Sequence, residues 1–437
     1  MRTPVVARET RVRAPHPLRT EGLRGFAPWA GAAVLLTCGA VLYGTADRWQ
    51  GGWSETAVET HTALLITVPL AAAAGCWQGG RERRRRTEEL WTTAVRTPLA
   101  RLLLAALPVA FWVVAGYLVT VAVALLATWP YVRGDRPQLT LLPGDTAAVA
   151  AGALAGHVVG RAVPTRLAAP LLAMTGYVGL GVVAADGSAA GRALTPAALA
   201  GVGELPVWWQ PWAMAVWTGG LACAAALGYA ARRRAVALLP LAAALAAGTL
   251  LAQSGDGLWH TDPLTRRQVC DTSRTPAVCV NARYAGMLPQ VSDALSGVTG
   301  KLAGVRNLPV RWADHGGAQR TGEAALPAVT PLGWSAVRGR LTDPERYARE
   351  AVDALALRGD CPQEQLSGRA LTADDAVEHY LAPLPVRDRL DGSDVHDARL
   401  REARARLAGM DGHKRREWLS AYFAARAACR TKEIPAL

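Results

Sequence analysis

Long stretches of the first half of this sequence lack charged residues, and lysine is nearly missing from the whole chain. The 437 residues include 45 Arg and only three Lys, a bias that favours a bacterial genome rich in G and C. Residues 1–252 carry 22 Arg against 12 acidic residues, whereas residues 253–437 carry 26 basic and 23 acidic residues. The positive excess therefore belongs to the apolar half. This excludes disorder and a single soluble core, and it argues against nucleic acid as a partner.

Seven apolar segments approach the roughly 17 to 25 residues that a membrane span needs. They are residues 26–46, 60–77, 102–129, 146–160, 167–185, 208–231 and 235–252, and none contains Asp, Glu, Lys or Arg. This absence disfavours an ion-coupled carrier, which normally needs an ionisable residue at membrane depth. Two histidines, His61 and His157, lie in these segments, and each is expected to be a neutral side chain bonded to a neighbouring helix.

The arginines predict the orientation. With the N-terminus in the cytoplasm, the inside segments hold 17 Arg and the short outside loops hold four. Because cytoplasmic loops are enriched in Lys and Arg, this ratio indicates a cytoplasmic tail at residues 1–25. Seven spans then leave residues 253–437 outside the cell. The first apolar run has full spanning length, so we do not expect a cleaved signal peptide.

Four cysteines, Cys270, Cys279, Cys361 and Cys429, lie in the predicted outside region. An even number of cysteines in an oxidising compartment suggests disulfides, and four allow three connectivities. We favour Cys270 with Cys279 and Cys361 with Cys429. A zinc site is the weaker alternative, because the sequence has no CxxC and the histidines there lack ligand spacing.

The loop after the second span, GGRERRRRTEELWTTAVRTPLARLLL, carries the most informative pattern. Thr87 suits the N-cap of a short helix whose acidic residues Glu88 and Glu89 lie near its positive end. Thr97 and Pro98 suit the N-cap and first position of the next helix. The pattern therefore predicts a helix, a break and a second helix at the membrane surface, where the first can dock to a cytosolic partner.

This loop resembles that of the membrane subunits of ABC-2 type exporters, in which a basic run precedes T-x-E-E-L-L, T-P and Arg. The present sequence departs from that pattern by having TEELW, with no residue between Thr and the Glu pair. The resemblance implies a coupling helix near residues 82–98 that sits in a cleft of the ATPase. The residues that take this role by resemblance are Arg84, Thr87, Glu88, Glu89, Leu90 and Trp91. The alternative is a solvated basic loop.

The resemblance covers residues 20–234 and implies an all-α polytopic fold, with a six-span permease domain over residues 26–234. Residues 235–252 form an added seventh span, followed by a mostly α, disulfide-stapled extracytoplasmic domain over residues 253–437. The segment 189–212 suits either the pair of short re-entrant helices of this family or an ordinary outside loop with an aromatic belt. Six core spans are few for an enclosed pathway, which implies a homodimer or a heterodimer with a related permease, in contact with membrane lipid.

Nucleotide hydrolysis has to come from another subunit. A P-loop needs GxxxxGK followed by Ser or Thr, and the nearest string, GVTGKLAG around Lys301, lacks that pattern. We therefore expect no cofactor in this chain, with ATP and Mg on a cytosolic ABC ATPase. The outside region also lacks the HExxH and GxSxG motifs of common hydrolases. Asp314 beside His315 and Asp394 near His396 are acid–base pairs of a common surface type, so the chain is not expected to be an enzyme.

The leading hypothesis is therefore the permease subunit of an ATP-driven exporter in the cell membrane. The alternative is a non-transporting membrane anchor whose outside domain senses or binds a component of the cell envelope.

Overall fold

The computed structural model describes residues 23, 25–84, 97–163, 165–186, 188–198, 201–314, 320, 322–330, 335–356, 368–383 and 394–437. The first half of this chain is built mainly of helices, and each of the seven apolar segments lies largely in one or two of them. These are α1 Ala27–Gly44, α2 Ala46–Trp49, α3 Trp53–Thr62, α4 Leu64–Gly79, α5 Arg81–Arg84, α6 Pro98–Thr128, α7 Leu142–Ala162, α8 Ala168–Asp186, α9 Ala189–Leu194, α10 Gln210–Ala230 and α11 Leu238–Ser254.

Among the described residues, six helical stretches are long and apolar enough to cross a membrane. They contain α1, the consecutive helices α3 and α4, α6, α8, α10 and α11. This indicates a multi-pass membrane protein. The remaining predicted span, α7, is a 21-residue helix packed against α4 and α10, but it contains Asp145, Arg161 and His157. Because of these polar residues, α7 is less apolar than the six stretches named above.

Local signals explain where the longest helix begins. The hydroxyl of Thr97 accepts a hydrogen bond from the backbone N–H of Ala100 at 3.3 Å, and Pro98 occupies the first turn of α6. This confirms the predicted cap and first position. The helix has 31 residues and continues through Pro108. At 1.5 Å per residue it is roughly 46 Å long, which exceeds the bilayer core.

Small residues allow α4 and α7 to run parallel with their backbones in contact. A Cβ atom added at Gly156 would lie 1.9 Å from the carbonyl oxygen of Ala72, and one at Gly160 would lie 2.0 Å from that of Cys76. Gly75 and Gly79 on α4 approach the backbone of α7 in the same way. This close packing of small residues spaced four apart is typical of helix pairs in membranes.

The segment 189–212 does not contain two re-entrant helices, so that interpretation is wrong for the part of it that the structure describes. It forms the six-residue helix α9 and strand β1 Glu204–Pro206 before α10 begins at Gln210. Strand β1 pairs antiparallel with β2 Trp259–Thr261. Pro196 and Pro206 interrupt helical hydrogen bonding here. The structure thus agrees with the alternative of a loop that carries exposed aromatic residues, Trp208 and Trp212. The side of the membrane on which it lies stays a prediction.

The C-terminal region contains more strand than predicted. A four-stranded sheet has the order β3 Gln268–Asp271, β4 Ala277–Asn281, β5 Arg311–Ala313 and β6 Glu323–Ala325. The first pair is antiparallel and the other two are parallel. A short hairpin joins β7 Ala336–Val337 to β8 Arg340–Leu341. The described part of this region is mostly helical, as expected, but it also contains this mixed sheet.

Helices cover this sheet and complete its core. They are α12 Leu288–Ala294, α13 Ser296–Lys301, α14 Pro344–Ala356, α15 Gly368–Leu381, α16 Asp394–Gly409 and α17 Gly412–Ala427. Helical periodicity in the sequence predicts helices at 284–302, 343–357, 373–381, 395–407 and 412–428. The last four helices match these predictions within about five residues, whereas the predicted helix at 284–302 is split into shorter pieces. Trp312, Tyr347, Tyr422 and Phe423 are among the largest fully buried side chains. Burial of these aromatic rings stabilises the region as one core.

Candidate functional site

Three polar side chains from different helices meet inside the helix bundle. His61 on α3 places Nδ1 2.9 Å from Oδ1 of Asp145 on α7. Tyr117 on α6 donates its hydroxyl to Oδ2 of the same carboxylate at 2.9 Å. All three residues are buried. This His61–Asp145–Tyr117 cluster joins an acid, an imidazole and a phenol, the groups that hold and move protons in proteins.

The cluster lies inside the helix bundle, roughly two turns of α3 beyond its first residue. The indole rings of Trp53 and Trp129 meet edge to face at 6.0 Å, at the start of α3 and directly after the end of α6. His61 follows Trp53 by eight residues, so it lies roughly 12 Å further along the helix axis. A void of about 10 Å³ adjoins the cluster, lined in part by Gln210, and it is the size of one water molecule.

Local geometry explains why Asp145 is tolerated there. It occupies the first turn of α7, where the positive end of the helix dipole favours a carboxylate. Its two oxygens each meet one partner, which offsets the cost of burying the charge. The helix around the apolar segment 146–160 therefore carries an acid that the segment itself lacks. The apolar run begins at Thr146, but the helix begins at Leu142 and includes the acid.

The expectation of neutral, hydrogen-bonded histidines holds only in part. His61 does bond a neighbouring helix, but its partner is a carboxylate. His157, buried on α7, has no hydrogen-bond partner for either ring nitrogen within the described part of the chain. In the sequence, the signal for a polar site around His61 is its short spacing from the acidic Glu55 and Glu59. These three residues lie within two turns of one helix.

A second buried polar group joins the membrane helices to the C-terminal region. Arg283 directs Nη2 toward Glu55 on α3 at 3.9 Å and Nε toward Asp135, in the loop after α6, at 3.5 Å. Tyr284 donates a hydrogen bond from its hydroxyl to Glu55. We call Glu55, Asp135, Arg283 and Tyr284 the junction network. It lies at the end of the bundle where the loops after α1 and α6 meet the C-terminal region.

The pKa values of three residues in the junction network differ from the usual values of these side chains. Burial and the Glu55 carboxylate raise the pKa of Tyr284 well above its usual value, so the phenol remains a donor. Burial also raises the pKa of Asp135, although Arg283 opposes this. For Arg283, burial acts to lower the pKa, but Tyr284, Glu55 and Asp135 outweigh it and the net shift is upward. The guanidinium is therefore charged and compensated.

The arginines gather at the opposite ends of the helices. Arg84, on α5 directly after α4, donates a hydrogen bond to the carbonyl of Trp77 and lies 4.3 Å over the Trp77 ring. Gly80, at the end of α4, approaches the carbonyl of Gly160 near the end of α7. Arg161 follows on α7, so the basic ends of the two parallel helices adjoin.

The other residues of the predicted coupling helix, Thr87, Glu88, Glu89, Leu90 and Trp91, lie outside the described residues. His315 and the side chains of Asp394 and His396 do so as well, so the two acid–base pairs stay untested. Lys301 donates hydrogen bonds from Nζ to the carbonyls of Tyr380 and Leu381, at 2.8 and 3.2 Å. This lysine is therefore held against the end of helix α15.

The predicted disulfide between Cys270 and Cys279 is present and links directly opposed residues of β3 and β4. Cys429 is also disulfide-bonded. Its predicted partner, Cys361, lies outside the described part of the chain, so that pairing stays a prediction. In the described ranges, no group of three or more His, Cys, Asp or Glu side chains has an arrangement that could hold a metal ion.

No family model, curated protein or solved structure matches this chain. The likeness to ABC-2 type exporters therefore rests on the amino-acid sequence of the loop at residues 79–104.

Proposed function

We propose that this chain is the permease subunit of an ATP-driven ABC exporter. A separate cytosolic ATPase binds the arginine-rich end of the bundle through the loop at residues 81–98. A second permease subunit, identical or related, completes the pathway. ATP and Mg belong to the ATPase, the N-terminus is cytoplasmic, and the C-terminal domain is extracellular.

The observation that carries this proposal is the parallel pair α4 and α7. Near one end of the pair, the arginine-containing ends Arg81–Arg84 and Arg161 adjoin the connection where the ATPase would bind. Near the other end, α3 and α7 hold His61 and Asp145. Because the glycines leave no side chains between the two backbones, a displacement of one helix is transmitted directly to the other.

The same geometry identifies the contact that would change when the ATPase moves α4 and α7. His61 lies on α3, which continues into α4 with only Ala63 between them, and Asp145 lies on α7, whereas Tyr117 belongs to α6. Movement of the pair against α6 therefore breaks the bond between Tyr117 and Asp145 and leaves the bond between His61 and Asp145 intact. A bond that exists in one of two packed arrangements is the kind of element that couples ATP hydrolysis to a pathway.

The buried cluster also favours transport over the anchor or sensor hypothesis. Ionisable groups inside a membrane bundle are costly, and they normally mark substrate or ion pathways. A protein that only displays an outside domain does not need an acid, an imidazole and a phenol within its helices. The charge-free apolar surface of a simple anchor would be more stable.

The first test is isolation of the tagged full-length chain from its native membranes, followed by identification of any ATPase that co-purifies. We expect an ABC ATPase to be retained by the unmodified chain and lost when Glu88 and Glu89 are both changed to Lys. The matched control is Glu345→Lys with Glu417→Lys, two exposed acids on α14 and α17. Retention of the ATPase and of its turnover by the E88K/E89K chain would reject the coupling assignment.

A second candidate, a proton-coupled carrier, is favoured by the contact between His61 and Asp145. Proteoliposomes without ATPase, loaded with a pH-sensitive dye and given a membrane potential, separate the two functions. Proton entry that depends on the unmodified chain and stops with Asp145→Asn would favour the carrier. An exporter subunit is expected to leave the dye unchanged in both samples.

A further inference from the structure

A cavity of about 630 Å³ lies between the C-terminal domain and the loops after α1 and α6. Four arginines line it, Arg133, Arg283, Arg338 and Arg340, and none of the described lining residues is Asp or Glu. The walls come from distant parts of the sequence, so the cavity exists only when the domain is docked. Such a concentration of guanidinium groups is suited to an anion.

Three of these guanidinium groups are available to a ligand. Arg283 is compensated from behind by Glu55 and Asp135. By contrast, Arg133 and Arg340 are exposed and have no carboxylate partner in the part of the chain that the structure describes. Arg338 uses Nε to donate to the amide oxygen of Gln50 at 2.6 Å, and a neutral amide leaves its charge uncompensated.

The backbone at Arg338 adopts a conformation that is unfavourable in free energy. Arg338 and Gly339 form the turn of the β7–β8 hairpin, with φ angles of 50° and 69°. A left-handed conformation is unfavourable for arginine, and such residues concentrate at binding sites. Gln290 holds the turn from both sides, donating to the Gly339 carbonyl at 2.9 Å and accepting from the Leu341 N–H at 3.2 Å.

The turn is also fitted closely against the membrane half. The Arg338 N–H donates to the carbonyl of Gln50 at 3.2 Å. A Cβ atom at Gly339 would lie 2.7 Å from the carbonyl of Tyr131, and one at Gly51 would lie 3.2 Å from the nitrogen of Gly339. Because backbone contacts hold the turn on both sides, the side chain of Arg338 starts from a rigid backbone.

The cavity adjoins the ends of apolar helices, where we expect them to leave the membrane. Pro130 and Tyr131 directly follow Trp129 at the end of α6, and Gly51 follows the short helix after α1. Trp129 and Tyr43 are 67% and 86% exposed at these ends. Exposed aromatic rings at helix ends mark the headgroup region of a bilayer. Phosphate groups of lipids occupy that same level.

From this charge, geometry and position, we propose that the cavity binds a phosphate-bearing anion at the outer face of the cell membrane. The phosphate comes either from the headgroup of an anionic phospholipid or from a soluble phosphate. Its oxygens accept hydrogen bonds from Arg133, Arg338 and Arg340, while Arg283 fixes the wall behind them. The inference does not depend on the transport function, since an anchor protein with this domain has the same cavity.

The test uses the full-length protein in an uncharged detergent. Binding of dihexanoyl phosphatidic acid, inorganic phosphate and the uncharged dihexanoyl glycerol is measured by titration calorimetry. The cavity variant is Arg133→Gln with Arg340→Gln, and the matched control is Arg266→Gln with Arg306→Gln, two exposed arginines outside the cavity. Because charge-assisted hydrogen bonds are strong, we expect the cavity variant to bind phosphate about tenfold or more weakly. Melting temperatures of both variants check folding.

Each outcome decides the proposal. Tighter binding of the phosphatidic acid than of inorganic phosphate, lost in the cavity variant, supports a lipid headgroup. Equal binding of both, lost in the same variant, supports a soluble phosphate. The proposal is overturned if the unmodified protein binds neither, if the control variant loses as much binding as the cavity variant, or if the uncharged lipid binds equally well.

Discussion

The hydroxyl of Tyr284 donates a hydrogen bond to the carboxylate of Glu55, although the two residues are 229 positions apart in the sequence. Glu55 lies in the first turn of α3, and Tyr284 directly follows Arg283 beside the sheet of the C-terminal region. The bond therefore joins the start of a membrane helix to the domain outside the helix bundle. We expect this bond to restrain movement of the domain relative to the bundle.

Arg283→Met should loosen the C-terminal region from the bundle, because it leaves the carboxylates of Glu55 and Asp135 buried without their cation. Removing one partner of a buried ion pair typically costs about 3–5 kcal/mol. Hydrogen exchange in the full-length protein should accelerate in the loop at 129–141 and in β3 and β4. Tyr284→Phe, which removes one hydrogen bond, should have a smaller effect. Wild-type exchange in Arg283→Met would show that the junction network does not hold the domain.

Gly156→Ala should destabilise the helix bundle, because its Cβ would lie 1.9 Å from the carbonyl oxygen of Ala72. Relieving that overlap requires α4 and α7 to separate, at a cost of about 1–3 kcal/mol. Gly179→Ala on α8 is the matched control, since no heavy atom lies within 4 Å of its added Cβ. Thermal unfolding in detergent should show a lower midpoint only for Gly156→Ala. Equal midpoints would contradict the close parallel packing.

The C-terminal region should lose stability as the pH rises from about 4.5 to about 8. Burial and the neighbouring carboxylates of Asp353 and Asp375 raise the pKa of Glu378 from near 4.5 to about 8, although Arg349 opposes the shift. A raised pKa in the folded state means that this state retains a proton that the unfolded chain releases. The stabilisation is therefore complete below the ordinary pKa and is lost as the pH passes the raised value.

Hydrogen exchange over α14 and α15, corrected for the intrinsic effect of pH, measures this loss. Glu378→Gln keeps the shape of the side chain and cannot ionise, so its protection should vary less between pH 5 and 9. The same pH dependence in the variant and in the unmodified chain would assign the effect to another group.

Cysteine labelling should place the two ends of the bundle on opposite sides of the membrane. Glu417 on α17 and Arg233 after α10 are both exposed, and each is changed to Cys in a Cys223→Ala background. A membrane-impermeant maleimide applied to intact cells should label Glu417→Cys, and it should label Arg233→Cys only after permeabilisation. The reverse pattern would invert the proposed orientation. Labelling of both sites in intact cells would reject the crossing pattern.

Much of the helical framework was predictable, because long apolar runs and cap residues are local signals. The seven apolar segments, the Thr97–Pro98 helix start and the Cys270–Cys279 disulfide are of this kind. The strands of the C-terminal region were mostly missed, because they have two to five residues each and too little periodicity to detect.

The polar sites were missed for a different reason. A hydropathy pattern ends an apolar segment at the first charged residue, so it placed Asp145 and Glu55 outside the spans. The helices in fact continue through both residues, because each carboxylate finds buried partners on other elements. Those partners, His61 and Tyr117 in one case and Arg283 and Tyr284 in the other, are far away in the sequence.

The amino-acid sequence by itself determined that this is a membrane protein with an arginine-rich side, since hydropathy and charge act through local composition. Only the tertiary structure decided which charges are compensated. Arg283 meets two carboxylates, whereas Arg133 and Arg340 face an open cavity, and nothing in their sequence neighbourhoods distinguishes them. Electrostatic energy depends on distances between side chains, and these distances are set only when the helices and the C-terminal region pack together.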